Sequence, residues 1–397
     1  MVGIFKVKMN ETMKRYLSIF IFLLLWTVPA VVMAQKPKQK FSMSVLKDSL
    51  DGKLDMSDFL IDFHGFIPVP QLITEPALGS IGGVFTPIFI QPNKHQEPGR
   101  YIPPDVTAGF VGYTGNKSWG FGAVRIASLP KQHLKYRVAV FHGDVNMDFY
   151  RDFPVIGERE LGFNLKTNGF FVSLLRQISD TELYMGLDYS FAHINARPDF
   201  GLNEVPSFLE DKELSSNIST ISPDIQFDKR DNVFTPNKGV YLLSTYRINA
   251  KWTGSDYNYQ KLNVAGYKFM QPTSKWVSGV RLEGVWQFGD PPFYAKPSID
   301  MRGVPMARYQ GDQVYMVETE QRYDFSLRWS GILIAGMAKA PSHEVSFSDA
   351  DLVYNYGGGF RYLIARKFGL RTGIDVAWSN DDFGWYIVFG HAWNNRN

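Results

Sequence analysis

The chain has 397 residues, a formal net charge of +3 with 20% charged residues, and 15% aromatic residues. So small a net charge does not indicate a dominant role in binding nucleic acid or an anionic membrane surface. The chain has no cysteine, which excludes disulfides, catalytic thiols and cysteine metal sites. The aromatic content is high for a soluble domain and is typical of transmembrane barrels, which carry aromatic girdles at both interfaces.

The first 34 residues have the pattern of a secretory signal peptide. A basic stretch ends at Lys14 and Arg15, residues 17–26 are almost entirely apolar, and Val32-Met33-Ala34 forms a small-residue cleavage site. No later run of 18 apolar residues predicts a transmembrane helix. We therefore predict a signal peptide over 1–34, a short periplasmic segment over 35–78, and an outer-membrane β-barrel over 79–397.

From about residue 79 onward, short segments alternate apolar and polar residues with a period of two. Between Trp276 and Phe288, for example, Leu282 belongs to an apolar face, and Arg281 and Glu283 belong to the opposite face. Apolar faces with aromatic ends, opposite ionic faces, favour a membrane barrel with a wet lumen over a soluble sandwich. Fifteen segments show this pattern, and single-chain bacterial barrels have an even strand number. We predict an all-β, antiparallel transmembrane barrel of sixteen strands, with the missing strand near 59–66 or inside 160–177.

Two motifs mark connections between strands. In the first, Phe227-Asp228-Lys229-Arg230-Asp231 is followed by a turn from Pro236 to Gly239, where glycine can adopt a positive φ. In the second, Gly289-Asp290-Pro291-Pro292-Phe293 begins a long loop that carries Arg302-Gly303. The strand after this loop places four charged residues on one face, which must be the lumen face: Glu318, Glu320, Arg322 and Asp324.

These motifs, in this order, resemble the BamA/TamA-type superfamily of outer-membrane assembly and secretion barrels, sometimes called bacterial surface antigen. The resemblance implies a periplasmic hairpin motif comprising Asp228, Arg230, Asp231, Pro236 and Gly239. It also implies an inward-folded loop whose arginine contacts acids of the barrel wall. The residues of this loop lock are Arg302, Gly303, Glu318, Glu320 and Arg322.

The sequence departs from the family pattern in three respects. Val304 stands where an aromatic residue is usual, and the stretch from Ile334 to Met337 lacks the acid of the family's Asp-x-Gly. Either Glu318 or Glu320 is then expected to take over the role of that acid, or the loop is held differently. The segment before the barrel is too short for a POTRA domain, so we expect a barrel-only branch of the family.

A closed barrel requires its first and last strands to meet, because open edges leave unsatisfied backbone groups in lipid. We predict that strand 80–90, which contains Pro87, meets strand 384–393. Proline cannot donate to a ladder, so this seam should be weak. The residues of the predicted seam are Pro87, Trp385, Ile387, Phe389 and Trp393.

The expected function is insertion or transport of polypeptide or lipid at the bacterial outer membrane, without enzymatic chemistry. A passive channel for small solutes is the alternative, and an outer-membrane lipase or protease is a weaker third reading. No H-E-x-x-H or G-x-S-x-G motif occurs, so neither a metal nor a catalytic serine is expected, and no cofactor is expected. We expect outer-membrane lipid and a polypeptide or lipid substrate as partners, and no nucleic acid; the sequence leaves homo-oligomerisation open.

Overall fold

A computed structural model describes residues 43–62, 66–73, 76–79, 81–91, 105–153, 157–179, 181–199, 214–380 and 382–393. The predicted signal peptide lies outside these residues. In the described part of the chain, no helix is both long and apolar enough to cross a membrane. Among the described residues there is one α-helix, α1 (Ser57–Asp62), with six residues.

The structure is a nearly closed antiparallel β-barrel of sixteen strands in chain order, as the sequence predicted. The strands are β1 (Phe66–Ile73), β2 (Gly82–Gln91), β3 (Asp105–Thr114), β4 (Trp119–Leu129), β5 (Leu134–Phe153), β6 (Gly157–Gln177), β7 (Leu183–Pro198), β8 (Ser215–Asp228), β9 (Gly239–Asn249), β10 (Tyr259–Thr273), β11 (Trp276–Gly289), β12 (Gln313–Asp324), β13 (Trp329–Lys339), β14 (Val353–Ala365), β15 (Leu370–Ser379) and β16 (Asp382–Phe389).

Alternation of side chains separates a lipid-type outer face from a charged lumen. Arg281 is 1% exposed and its cross-strand partner Glu318 is 0% exposed, whereas Leu282, next along β11, is 58% exposed. Large hydrophobic and aromatic side chains such as Trp276 and Tyr323 are likewise exposed on the outer face. This arrangement is that of a membrane-type barrel, in which apolar residues face lipid and polar residues face inward.

The two ends of the barrel differ in their connections. At the end where β1 begins and β16 finishes, here called the termini end, tight turns 325–328 and 366–369 join β12 to β13 and β14 to β15. The long connection 290–312 leaves β11 at the opposite end. The opposite end therefore supplies the loop that enters the lumen.

The first strand differs from the prediction, because β1 lies before residue 79. Pro68 and Pro70 made this stretch look irregular, but a strand at the edge of a sheet tolerates prolines. The predicted first strand is β2, and its Pro87 is the cross-strand partner of Pro68. The placement of Pro87 at the seam was therefore wrong.

The seam lies between β1 and β16, the two ends of the strand order. Among the described residues no ladder pairs them, and each has only eight residues. Pro68 and Pro70 occupy alternate positions, so their missing N–H groups fall on the same edge of β1. The ladder between β1 and β2 continues past both prolines without a register shift, so it does not depend on the missing N–H groups. We therefore infer that the edge with the missing N–H groups faces β16.

The last strand ends earlier than predicted. Trp385, Ile387 and Phe389 lie on β16, which stops before Gly390, a residue with φ of 80°. The chain then turns inward, and Trp393 is 0% exposed, packed against Tyr267. Trp393 is therefore a lumen residue, and its assignment to the seam was wrong.

Candidate functional site

The loop over residues 290–312 crosses the lumen from one wall to the other. Its first part is held by aromatic contacts, because Phe293 packs against Phe149 and Phe163 at ring-centroid distances of 4.8 and 4.5 Å. The hydroxyl groups of Tyr294 and Ser216 are hydrogen-bonded. These contacts anchor the loop on the wall formed by β5, β6 and β8.

The second part of the loop is anchored on the other side of the barrel by apolar packing. Ile299, Met301 and Val304 are each no more than 4% exposed. They share a hydrophobic cluster with wall residues of β11 to β14, including Val314 and Val353. Val304, which departs from the family's aromatic residue, fills part of this cluster.

Arg302 projects from the loop into a group of three carboxylates. Its Nε lies 3.1 Å from Oε1 of Glu318, and its Nη1 lies 2.7 Å from Oε2 of Glu320 and 3.0 Å from Oδ2 of Asp375. Arg302 is 1% exposed. A guanidinium suits this position because its donors form a rigid fork, so several acids can be held at once.

The backbone on either side of the arginine is also held. Gly303 N–H donates to the Tyr386 hydroxyl at 2.8 Å, and Ser379 Oγ donates to Gly303 O at 2.7 Å. Asn355 Nδ2 donates to Arg302 O at 2.9 Å. Gly303 has φ of +85°, and a Cβ there would come within 3.0 Å of the Ala377 backbone. Only glycine fits this tip without strain.

The acids around Arg302 have further partners. Asp375 accepts hydrogen bonds from Arg361 Nη1 and Nη2 at 2.5 and 2.9 Å. Glu318 accepts one from Trp393 Nε1 at 2.5 Å, so the inward-turned C-terminal residues complete the site. Asp375 and Glu318 are thus held by other residues besides Arg302, which fixes the positions of these two acids.

Asp375 is the residue of this cluster that sequence reasoning did not assign to it. The stretch containing Gly336 has no acid, and β15 supplies one instead. The available signal was the period-two pattern of β15, which puts Asp375 on the lumen face. Arg322, conversely, was grouped with the lock, but its contacts are Asp324 at 3.1 Å and Asn237.

The hairpin motif between β8 and β9 folds against the termini end of the lumen. Arg230 pairs with Asp228 at 2.7 Å, and Asp231 Oδ1 accepts the N–H groups of Asn237 and Lys238 at 2.9 and 3.2 Å. Gly239 has φ of +120°, and a Cβ there would lie 2.2 Å from Lys229 O. The acids of the motif therefore shape the turn.

Contacts of this hairpin reach across the lumen to distant strands. Pro236 is buried, next to Thr235. Asn232 Nδ2 donates to Phe368 O at 2.9 Å, and His391 N–H donates to Phe234 O at 2.7 Å. The hairpin motif and the loop lock thus occupy the lumen from opposite ends.

Residues 129–296, which run from the end of β4 to the start of the inward loop, match the family model of the Omp85 superfamily domain. This part of the chain is an Omp85 superfamily domain. The fold of the chain is similar to that of BamA from Haemophilus ducreyi lacking POTRA domains 1–3, with 10% sequence identity and a TM-score of 0.55, over 81% of this chain and 69% of that one.

Two structures of CdiB are also similar to this barrel. The Escherichia coli protein has 10% identity and a TM-score of 0.54, over 81% of this chain and 62% of that one. The Acinetobacter baumannii protein has 10% identity and a TM-score of 0.51, over 82% of this chain and 59% of that one. This chain thus spans less than two thirds of either CdiB chain. No curated protein sequence matches it.

A feature of this barrel that sequence reasoning missed is the strap, residues 47–58, which docks on the termini end. Arg328, 1% exposed, binds Asp48, Asp51 at 2.7 Å and Asp55 at 2.5 Å. Arg366 also binds Asp48, at 2.5 and 2.9 Å. Three aspartates spaced along a polar stretch were the available signal, but their partners lie some 300 residues away and no local pattern links them.

Hydrogen bonds from barrel arginines lower the pKa values of aspartates in the strap. Arg366 holds the pKa of Asp48 well below its usual range, and Arg328 lowers the pKa of Asp51. Backbone contacts add to the docking, since Met56 N–H donates to Ile364 O at 2.6 Å. The strap is therefore docked by its ionised aspartates.

Within the described residues, no group of histidine and acidic side chains has the arrangement of a metal site. The chemistry that the loop lock offers is ion pairing and hydrogen bonding, which position a loop. We therefore treat the loop lock and the seam as the candidate functional site.

Proposed function

We propose that this Omp85-type barrel resides in the bacterial outer membrane and promotes insertion or transport of polypeptide or lipid there, without enzymatic chemistry. The termini end then faces the periplasm. The observation that carries the proposal is the loop held across the lumen by Arg302 and its three acids. A loop fixed to both walls obstructs a straight aqueous path, whereas a porin keeps its channel open.

The seam supports the same proposal. Every neighbouring pair from β1 to β16 is joined by a ladder, so the described strands β1 and β16 are the place where the wall is weakest. Two prolines on one edge of β1 remove donors that a ladder across the seam would use. With the lumen obstructed and the wall weak at one line, a substrate would pass sideways into the membrane.

A disulfide across the seam tests this proposal. Because no ladder fixes the register, Leu72→Cys would be combined in turn with Phe383→Cys, Trp385→Cys and Ile387→Cys. The natural chain has no cysteine, so these thiols react alone. As a matched control, Val376→Cys with Trp385→Cys joins cross-strand partners of β15 and β16.

Each protein would be reconstituted into liposomes, and the rate at which a urea-denatured outer-membrane barrel inserts would be measured with and without oxidant. We expect the natural protein to accelerate insertion, and oxidation of a seam pair to remove that acceleration. The control pair should have no effect. Equal activity before and after complete cross-linking of the seam would refute lateral passage.

The alternative, a passive channel for small solutes, makes a different prediction in the same liposomes. A channel would give steady ion conductance in planar bilayers, insensitive to a seam disulfide. Steady conductance without any acceleration of barrel insertion would replace the proposed function with the channel.

A further inference from the structure

A second polar site lies in the lumen, away from the loop lock. It is a cavity of about 620 Å³ between the start of the inward loop and the wall of β5 to β10, closed on one side by Tyr294 and Lys296. A cavity of this size accommodates a small organic molecule. Hydroxyl and amide groups line much of it, among them Ser190, Thr220, Ser222, Thr245, Asn249 and Tyr259.

Four basic side chains line this cavity, three on the wall and Lys296 on the loop, and none of them forms an ion pair with a described residue. Arg137 and Arg247 form no direct hydrogen bond or ion pair in the described part of the chain, and both interact with Asp188 only through longer-range electrostatics. The Lys261 ammonium donates to Ala295 O at 2.7 Å, a neutral acceptor. Elsewhere in the same lumen, Arg302 holds three acids. The cavity therefore differs from the rest of the lumen in leaving its cations unpaired.

The register places two of these cations face to face. Arg247 on β9 and Lys261 on β10 are cross-strand partners on the lumen side. Like charges at directly opposed positions repel each other, which destabilises a sheet. An anion bound between the two side chains would convert this repulsion into attraction, with charge-assisted hydrogen bonds on both sides.

Two acids stand on the neighbouring strands β7 and β8. Asp224 is the cross-strand partner of Gly186, two residues before Asp188, so the two acids lie one step apart in register. Among the described residues, neither acid forms an ion pair. Asp188 Oδ1 and Asn263 Oδ1 are buried, and no described protein group donates to them. Such acceptors suit the hydroxyl groups of a ligand.

We propose that this cavity binds a small anionic solute that also carries hydroxyl groups, such as a sugar phosphate. The anionic group lies between Arg247 and Lys261. The hydroxyl groups donate to Asp188, Asp224 and the neighbouring polar side chains. The cavity contains neither the loop lock nor the seam, so this binding does not depend on the proposed function.

Calorimetric titration of the detergent-solubilised protein tests the proposal, with glucose 6-phosphate, inorganic phosphate and glucose as probes. We expect glucose 6-phosphate to bind, and glucose to bind at least about tenfold more weakly. Arg247→Gln and Lys261→Gln should each weaken binding of glucose 6-phosphate by about tenfold or more. Lys261→Arg, which retains the charge, should restore most of the affinity.

The matched control is Lys268→Gln, because Lys268 lies on the same strand but on the outer, exposed face. It should leave the affinity unchanged. Asp188→Asn should retain inorganic phosphate while reducing the preference for glucose 6-phosphate over it. Absence of binding at about 10 mM, or equal weakening by Lys268→Gln and Arg247→Gln, would overturn the proposal.

Discussion

Arg302 is almost completely removed from solvent, and so are Glu318 and Asp375, which it binds. This burial determines the energy of the contact. Between hydrated groups such an ion pair contributes under about 1 kcal/mol, because water screens both charges. When the pair is buried, removal of one partner leaves an uncompensated charge and costs about 3–5 kcal/mol. The cluster at the loop tip belongs to the second case.

Arg302→Ala is expected to destabilise the barrel by about 3–5 kcal/mol, since three acids lose a shared counter-charge. Glu320→Ala should cost less, because Glu318 and Asp375 still neutralise the arginine. The double variant should cost less than the sum of the two single variants. The measurement is the temperature at which the folded form disappears in heat-modifiability gels.

The matched control for this cycle is Arg308→Ala on the same loop. Arg308 is bound to Asp382 at 3.3 Å, and both side chains are about 20% exposed. Its removal should cost less than that of Arg302, because this pair is partly solvated and involves a single acid. Strict additivity of Arg302→Ala with changes at both Glu318 and Glu320 would show that the loop is not locked by these pairs.

At the scale of single strands, alternation decides which substitutions the barrel tolerates. Leu282 lies near the middle of β11 on the outer face, and its neighbour Glu283 lies on the lumen face beside Arg281. The outer residue faces lipid, where a charge cannot be hydrated. The inner residue faces polar groups.

Leu282→Arg should therefore destabilise the barrel by about 2–4 kcal/mol. Glu283→Gln keeps an oxygen acceptor for Arg281 and should be milder. Reversible unfolding in denaturant, carried out in lipid, gives both values. Equal costs for the two changes would contradict the assigned faces of β11.

The strap gives a prediction on pH. Docking lowers the pKa of Asp48 and of Asp51, so the unfolded or undocked carboxylates bind protons more readily than the docked ones. Docking is therefore fully favoured above the ordinary aspartate pKa of about 4, and is lost as the pH falls through the lowered values. A fluorophore on Lys53→Cys should show high anisotropy at neutral pH and lower anisotropy in strong acid.

Two variants serve as controls for the strap. Arg328→Ala removes the partner of three aspartates and should give low anisotropy at every pH. Asp58→Asn alters only an exposed contact with Lys367 and should behave like the parent. Constant anisotropy from neutral pH to strong acid would mean that the ion pairs do not hold the strap.

At the scale of the whole molecule, sixteen strands joined into a nearly closed wall form a cooperative unit. Such a barrel resists detergent until it is heated. We expect the mature protein to fractionate with the outer membrane and to migrate faster on gels when unheated. Recovery in the soluble periplasmic fraction would contradict the proposed location.

The sequence predicted the barrel because period-two alternation is local and repeats along the whole chain. The same alternation indicated that Arg281, Glu318 and Asp375 face inward. It could not tell that Asp375 meets Arg302, because that contact depends on how β12 to β15 are arranged around the lumen. β1 was not predicted as a strand because it contains two prolines. A strand tolerates them at the edge of a sheet, and that position also depends on how the strands are arranged.

The strap connects an early part of the sequence to turns that are synthesised much later. Asp48 precedes Arg328 by 280 residues and Arg366 by 318. The strap also precedes β1 in the sequence, whereas its anchors lie at the turns before β13 and β15, on the β16 side of the seam. A nascent barrel that stops short of Arg366 has no complete receptor for its own N-terminal segment. The strap can thus dock fully only after the strands up to β14 and the turn after it have been made. It docks close to the seam, where the barrel wall is completed last.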